Sequence, residues 1–136
     1  MFAVALLAAM LLQTPIFSVN TISLVGSTHY SPDDVQQSVD LDGRPLISLP
    51  VEQVESQIEQ MPWIASASIQ KIWPNEVKVS VTERVPVALT PADGGWYVVD
   101  ASGRVLAQAV SRPTNLLAIV DAGDIEGPGS TLDPRF

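Results

Sequence analysis

The chain opens on an unbroken apolar run, Met1 through Leu12, and its first charged side chain is Asp33. A helix of that run would be about 18 Å long, against a bilayer core of about 30 Å. The pattern predicts residues 1–14 to be the C-terminal part of a transmembrane helix whose first half lies outside this sequence. Pro15, which has no N–H to continue a helix, marks the exit. A cleaved signal peptide would need a basic start and a small-residue cleavage site; Phe2 follows Met1 directly, and Leu11–Pro15 supplies no such site. A buried core helix is the third reading. Beyond Pro15 the period becomes two. Phe17 and Val19 alternate, then Ile22 and Leu24 on the opposite phase, which predicts a strand bent at Asn20–Thr21 and ended by Gly26.

Ser31-Pro32-Asp33-Asp34 is a helix start: a serine cap, proline in the first turn and acids beside the positive dipole end. Val35 and Val39 share one face of this short helix, and Asp42-Gly43 is expected to stop it. Pro50 opens a second helix with Val51, Val54, Ile58 and Met61 on one stripe, Glu52, Glu55 and Glu59 on the other side, and Pro62 at its end. Residues 63–73 alternate again, with Ala65, Ala67 and Ile69 against Ser66, Ser68 and Gln70. After a Pro74-Asn75 turn, Val77, Val79 and Val81 face inward over residues 76–84. The order is strand, helix, helix, strand, strand, with one polar sheet face and two single-striped helices, which implies two layers. From Val85 onward short strands follow at Val87–Leu89, Trp96–Val99, Val105–Leu106 and Leu116–Val120. They read as the opening of an all-β domain. Asp121 to Phe136 reads as loop or frayed end.

Composition sharpens this picture. The chain is 46% hydrophobic, but much of the excess is the front run. With no cysteine there is no disulfide framework, thiolate metal site or cysteine nucleophile. A formal charge of −8 disfavours nucleic acid, whose phosphates call for clustered Lys and Arg. Candidate chemistry is sparse. His29, the single histidine, sits in a loop with no acid patterned to orient it. Glu52, Glu55 and Glu59 read as a solvated helix face rather than a paired-carboxylate site. Asp121–Gly127 lacks the spacing of a calcium loop. Gly94-Gly95 reads as a turn, not a phosphate cradle.

Several strings taken in order resemble one family. Phe17-Ser18-Val19 with Ile22–Gly26, Met61-Pro62-Trp63-Ile64, Ala67-Ser68-Ile69, Trp73-Pro74-Asn75, Glu83–Ala88, and Val98-Val99-Asp100 with Gly103 are similar to POTRA domains of the FtsQ/DivIB type and the start of the β domain that follows them. The resemblance covers about residues 13–120. It implies an α+β chain: a truncated transmembrane helix (1–14), a two-layer POTRA domain of β-α-α-β-β order (15–85), and a partial β domain (86–136, loop-like from about 121). It implies a non-enzymatic, bitopic division scaffold. FtsB/DivIC-like and FtsL-like proteins would be its partners outside the cytoplasmic membrane, the bilayer would hold the N-terminal segment, and no cofactor, metal, small-molecule substrate or nucleic acid would be bound. Two other readings stand beside it: a POTRA-bearing transport or assembly factor that binds unfolded polypeptides, and a secreted cell-wall enzyme or binding domain.

Strands running as in POTRA domains would make 76–84 central and 63–73 an edge. An edge has unpaired N–H and C=O groups to which a partner strand can add. The candidate protein-binding residues are therefore Ser66, Ser68, Ile69, Gln70, Lys71 and Trp73, with Glu83 and Arg84 at the domain junction. Several of these have a plainer alternative. Ile69 and Trp63 are expected in the core, Trp73 under the turn, Lys71 as an edge protector, and Arg84 paired across the joint or solvated.

Overall fold

The computed structural model describes residues 2–12, 14–92, 95–111, 114–118 and 125–132. The apolar run forms α1 (Phe2–Leu12), with every described side chain outside any core. Among the described residues no helix is long and apolar enough to cross a membrane. The chain divides into two compact bodies: Met1–Glu59 with Ala65–Thr82, and Gln60–Ile64 with Glu83–Phe136.

The first body has a three-stranded sheet in the order β1 (Thr21–Val25), β3 (Glu76–Glu83), β2 (Ile64–Ile72). β1 runs parallel to β3, from Thr21 opposite Glu76 to Val25 opposite Ser80. β3 is thus central and β2 an edge, the order the resemblance implied. The valines at 77, 79 and 81 are buried, as alternation requires. Helices α2 (Pro32–Ser38) and α3 (Val51–Ile58) bury Val35, Val54 and Ile58.

The first predicted strand starts late. Pro15–Phe17 is a 3-10 turn, and Val19 pairs with the loop at residues 43–45, its N–H donating to the Arg44 carbonyl at 2.8 Å and its own carbonyl accepting from Gly43 at 2.9 Å. Only Thr21–Val25 joins the sheet. Both helices also stop short of their predicted ends. α2 closes at Ser38, ahead of Asp42-Gly43, and α3 at Ile58, so Met61 lies beyond the stripe.

The predicted cap is present in full. The Ser31 hydroxyl accepts from the Asp34 N–H, and the Asp34 carboxylate accepts from the Ser31 N–H at 2.7 Å, a reciprocal box. The backbone and hydroxyl hydrogen bonds from Ser31 hold the Asp34 pKa below its ordinary value. Ser31→Ala is expected to lower stability by about 1 kcal/mol, read as a lower urea midpoint with an unchanged slope.

The second body is a four-stranded sheet in the order β6 (Val105–Ala109), β5 (Gly95–Asp100), β4 (Pro86–Ala92), β7 (Leu117–Ala118). Alternation gives it two covered faces. Ala88, Val99, Val105 and Leu132 pack on one; Leu89, Val98 and Leu106 pack on the other, with Trp63 and Trp96 against them. Trp63, expected in the core, is half-buried and packs against this body's core rather than within it. The tail is more than a frayed end: Leu132 is buried, and the Ser130 carbonyl accepts the Val105 N–H at 2.8 Å. Gly94, Ile119, Val120 and Asp121–Asp124 lie outside the described residues, so the acidic loop and half of the glycine turn go with them.

Candidate protein-docking site

β2 exposes Ser66, Ser68 and Gln70 on its solvent side, as the period-two pattern requires. The opposite side departs from expectation. Ala65 is exposed, Ala67 is half-buried, and Ile69 is half-buried rather than core. The cause is position: an edge strand is covered on its inner face only as far as the helix above it extends.

Two glutamates of that helix reach the strand. Glu55 Oε1 accepts the Ile69 N–H at 2.7 Å, and Glu59 Oε1 accepts the Ala67 N–H at 3.0 Å. The geometry follows from two repeats. Residues four apart on a helix rise about 6 Å, and residues two apart on a strand advance about 6.7 Å, so a Glu-x-x-x-Glu pair matches alternate amides. The later glutamate takes the earlier amide, which sets α3 antiparallel to β2. Glu55 and Glu59 are therefore half-buried clamps on the sheet edge, and of the three only Glu52 is a solvated face residue.

Lys71 donates from its Nζ to the Ile47 carbonyl at 3.4 Å. Trp73 lies at the β2–β3 turn, 50% exposed, with its ring edge-on to Phe17 at a centroid distance of 6.0 Å.

Glu83 and Arg84 belong to the second body. Arg84 is neither free nor merely solvated. Its N–H donates to the Trp63 carbonyl at 2.8 Å, Nε to the Ile64 carbonyl at 3.0 Å, and Nη1 to Asp100 Oδ2 at 2.7 Å. The other oxygen of Asp100 accepts from the Ser102 N–H and hydroxyl and from the Arg104 N–H at 2.6–2.9 Å. Burial works to raise the Asp100 pKa, but these hydrogen bonds from Ser102, Arg84 and the Arg104 and Ser102 backbone outweigh it and hold the carboxyl below its usual range. Arg84 is a structural clasp of the turn between β5 and β6.

Sequence reading missed Glu55, Glu59 and Asp100 as organising residues. The i, i+4 spacing beside an edge strand was the available signal for the first two. For Asp100, the signal was an Asp-x-Ser-Gly turn with an arginine before the preceding strand. Among the described residues no cluster of three or more His, Asp or Glu is placed to hold a metal.

These features define a class: an α+β chain whose first body is a β-α-α-β-β module with β2 at the edge of its sheet. The family model described as "POTRA domain, FtsQ-type" matches residues 17–84, and the chain belongs to that family. It is similar to a protein named cell division protein FtsQ in Chloroflexus aggregans, 32% identical over 87% of this chain and 44% of that one. The protein of the same name in Koribacter versatilis is 30% identical over 88% of this chain and 35% of that one. The Escherichia coli protein of that name is 36% identical over 65% of this chain and 33% of its own length. The chain thus spans less than half the length of these curated relatives.

Proposed function

We propose that this chain acts in bacterial cell division as the membrane-proximal part of a non-enzymatic divisome scaffold. The observation that carries the reading is the FtsQ-type match across residues 17–84, in a chain whose curated relatives bear the name cell division protein. In this reading α1 sits in the cytoplasmic membrane and both bodies lie outside it, at the septum. The partners are FtsB/DivIC-like and FtsL-like proteins, and binding them helps control septal peptidoglycan synthesis. The docking surface on the first body is the β2 edge with Ser66, Ser68, Ile69, Gln70, Lys71 and Trp73. On the second body, Glu83 and Arg84 are the further candidate contacts. A scaffold needs no converging acid, base and nucleophile; it needs rigid elements that present backbone groups and side chains to another chain.

The protein carrying this segment, affinity-purified from membranes of its own organism, is expected to bring down FtsB-like and FtsL-like proteins together. Recovery of neither would overturn the scaffold reading. A second variant addresses the edge. Ile69→Pro is expected to abolish septal localisation of the protein, because proline deletes one of the outward amides of β2 and its ring obstructs strand addition on that side. A folded variant that still localises and supports division would remove β2 from the docking surface.

A further inference from the structure

Two outward amides of β2, those of Ala67 and Ile69, are already occupied, which changes what a partner must do to use this edge. We infer that β2 is a docking edge for a basic extended segment of a partner protein, and that Glu55 and Glu59 hold it closed until that segment's cations draw the carboxylates away.

The argument starts from the hydrogen bonds. An edge strand left open pairs with any extended chain, including other copies of itself. Here the Ala67 and Ile69 N–H groups are bound by Glu59 and Glu55 at 3.0 and 2.7 Å, so an uncharged strand would exchange two charge-assisted bonds for two neutral ones and strand two carboxylates. The carbonyls on the same side of β2 have no such cover from a carboxylate, which can only accept. At Ala67 and Ile69 the edge is thus closed on its donors, and the closing groups leave the acceptors untouched.

A strand with Lys or Arg at alternate positions resolves the conflict. Its backbone carbonyls take over the two amides, its N–H groups meet the outward carbonyls, and its cations pair with the displaced Glu55 and Glu59, with exposed Glu52 one turn away. Charge decides against a second copy as occupant, because this chain carries a formal −8 and would bring acid to an acidic edge. The alternate spacing of a strand's side chains also suits the helix pair, by the same match of about 6 Å to about 6.7 Å that built the clamp.

The inference rests on the chain being a docking scaffold, but its test leaves division out, so the two readings fail separately: loss of FtsB-like and FtsL-like partners would sink the scaffold, and the peptide results below bear on the edge alone. The full 136-residue chain, 15N-labelled in detergent micelles, is titrated with three blocked nine-residue peptides of alternating Val-Lys, Val-Thr and Val-Glu. The wild type is expected to bind the Lys peptide about tenfold or more tightly than the Thr peptide and to refuse the Glu peptide, with the largest amide shifts at Ala67 and Ile69. In Glu55→Ala/Glu59→Ala the Thr peptide gains about tenfold, and the Lys-over-Thr preference falls below about threefold. Should that variant not fold, Glu55→Gln/Glu59→Gln keeps the shape and an acceptor oxygen while removing the charge, and the preference collapses there too. Equal affinity of the wild type for Lys and Thr peptides overturns the inference. So do shifts confined to β1 at residues 21–25, a preference that survives both double variants, and self-association of the wild type through β2.

Discussion

Gly26→Ala is expected to cost the first body about 3–5 kcal/mol, most of the stability of an ordinary small domain. Gly26 ends β1 with φ +91, a left-handed conformation that costs an L-residue about 1–2 kcal/mol by itself. The larger penalty is steric. A Cβ at this position would overlap the Val81 carbonyl oxygen on the central strand, a backbone atom that no rotamer change can move. Relief requires β1 to part from β3 at the end where Val25 faces Ser80, and that parting opens the sheet over buried Val79. Gly43→Ala is the built-in control. Gly43 has φ +72 but nothing within 4 Å of the added carbon, so it is expected to lose only about 1 kcal/mol. The measurement is amide hydrogen exchange at Val77, Val79 and Val81. Those amides should lose most of their protection in Gly26→Ala and little in Gly43→Ala. Equal losses in the two variants would mean that backbone strain, not the contact with Val81, is what Gly26 avoids.

The second large effect is at Asp100. Asp100→Ala is expected to destabilise the second body by about 3 kcal/mol, because it leaves the partly buried Arg84 guanidinium without its anion and the Ser102 and Arg104 N–H groups without an acceptor. Arg84→Ala should cost less, since Asp100 keeps its three bonds within the turn. The double variant should cost less than the sum, the non-additivity of a shared network. The pH dependence follows from the lowered pKa. Asp100 binds its proton less readily in the folded chain than in the unfolded one, so its contribution is complete above the unfolded carboxylate value of about 3.9 and is lost as pH falls through the depressed folded value. A urea series followed by Trp63 and Trp96 fluorescence in a Trp73→Phe background should show stability level near neutrality and falling below about pH 4. That fall should be shallower in Asp100→Asn. An identical acid profile in Asp100→Asn would place the titrating group elsewhere.

Much of the architecture is legible in the chain because it is local. The Ser31 capping box is written in four consecutive residues. The β2–β3 hairpin follows from alternation on both sides of Pro74-Asn75, and buried Val77, Val79 and Val81 confirm its inner face. Asp100–Gly103 forms a four-residue turn, the Gly103 N–H donating to the Asp100 carbonyl at 3.0 Å. What failed was local pattern without knowledge of what lies opposite. Phe17 and Val19 alternate like a strand, yet Val19 is bound by the loop at residues 43–45, which no periodicity near residue 19 can announce. Ile69 has the pattern of a core residue, but how deeply a strand is covered depends on the helix packed over it.

The candidate site divides in the same way. The sequence by itself determined that residues 63–73 form a strand with Ser66, Ser68 and Gln70 outward, that α3 has an acidic side, and that the chain carries an FtsQ-type body. Side-chain period and charge suffice for the first two; the third rests on the resemblance of several short strings taken in order. Only the tertiary structure decided that the acidic side meets the strand's free amides. It also decided that Arg84 closes on Asp100 and that Leu132 completes a core, and each of these rests on a partner that folding brings near. A period of 3.6 or 2 states which way a side chain faces. It holds no information about the atom it will meet, and for this protein that atom separates an open sheet edge from one held shut by its own helix.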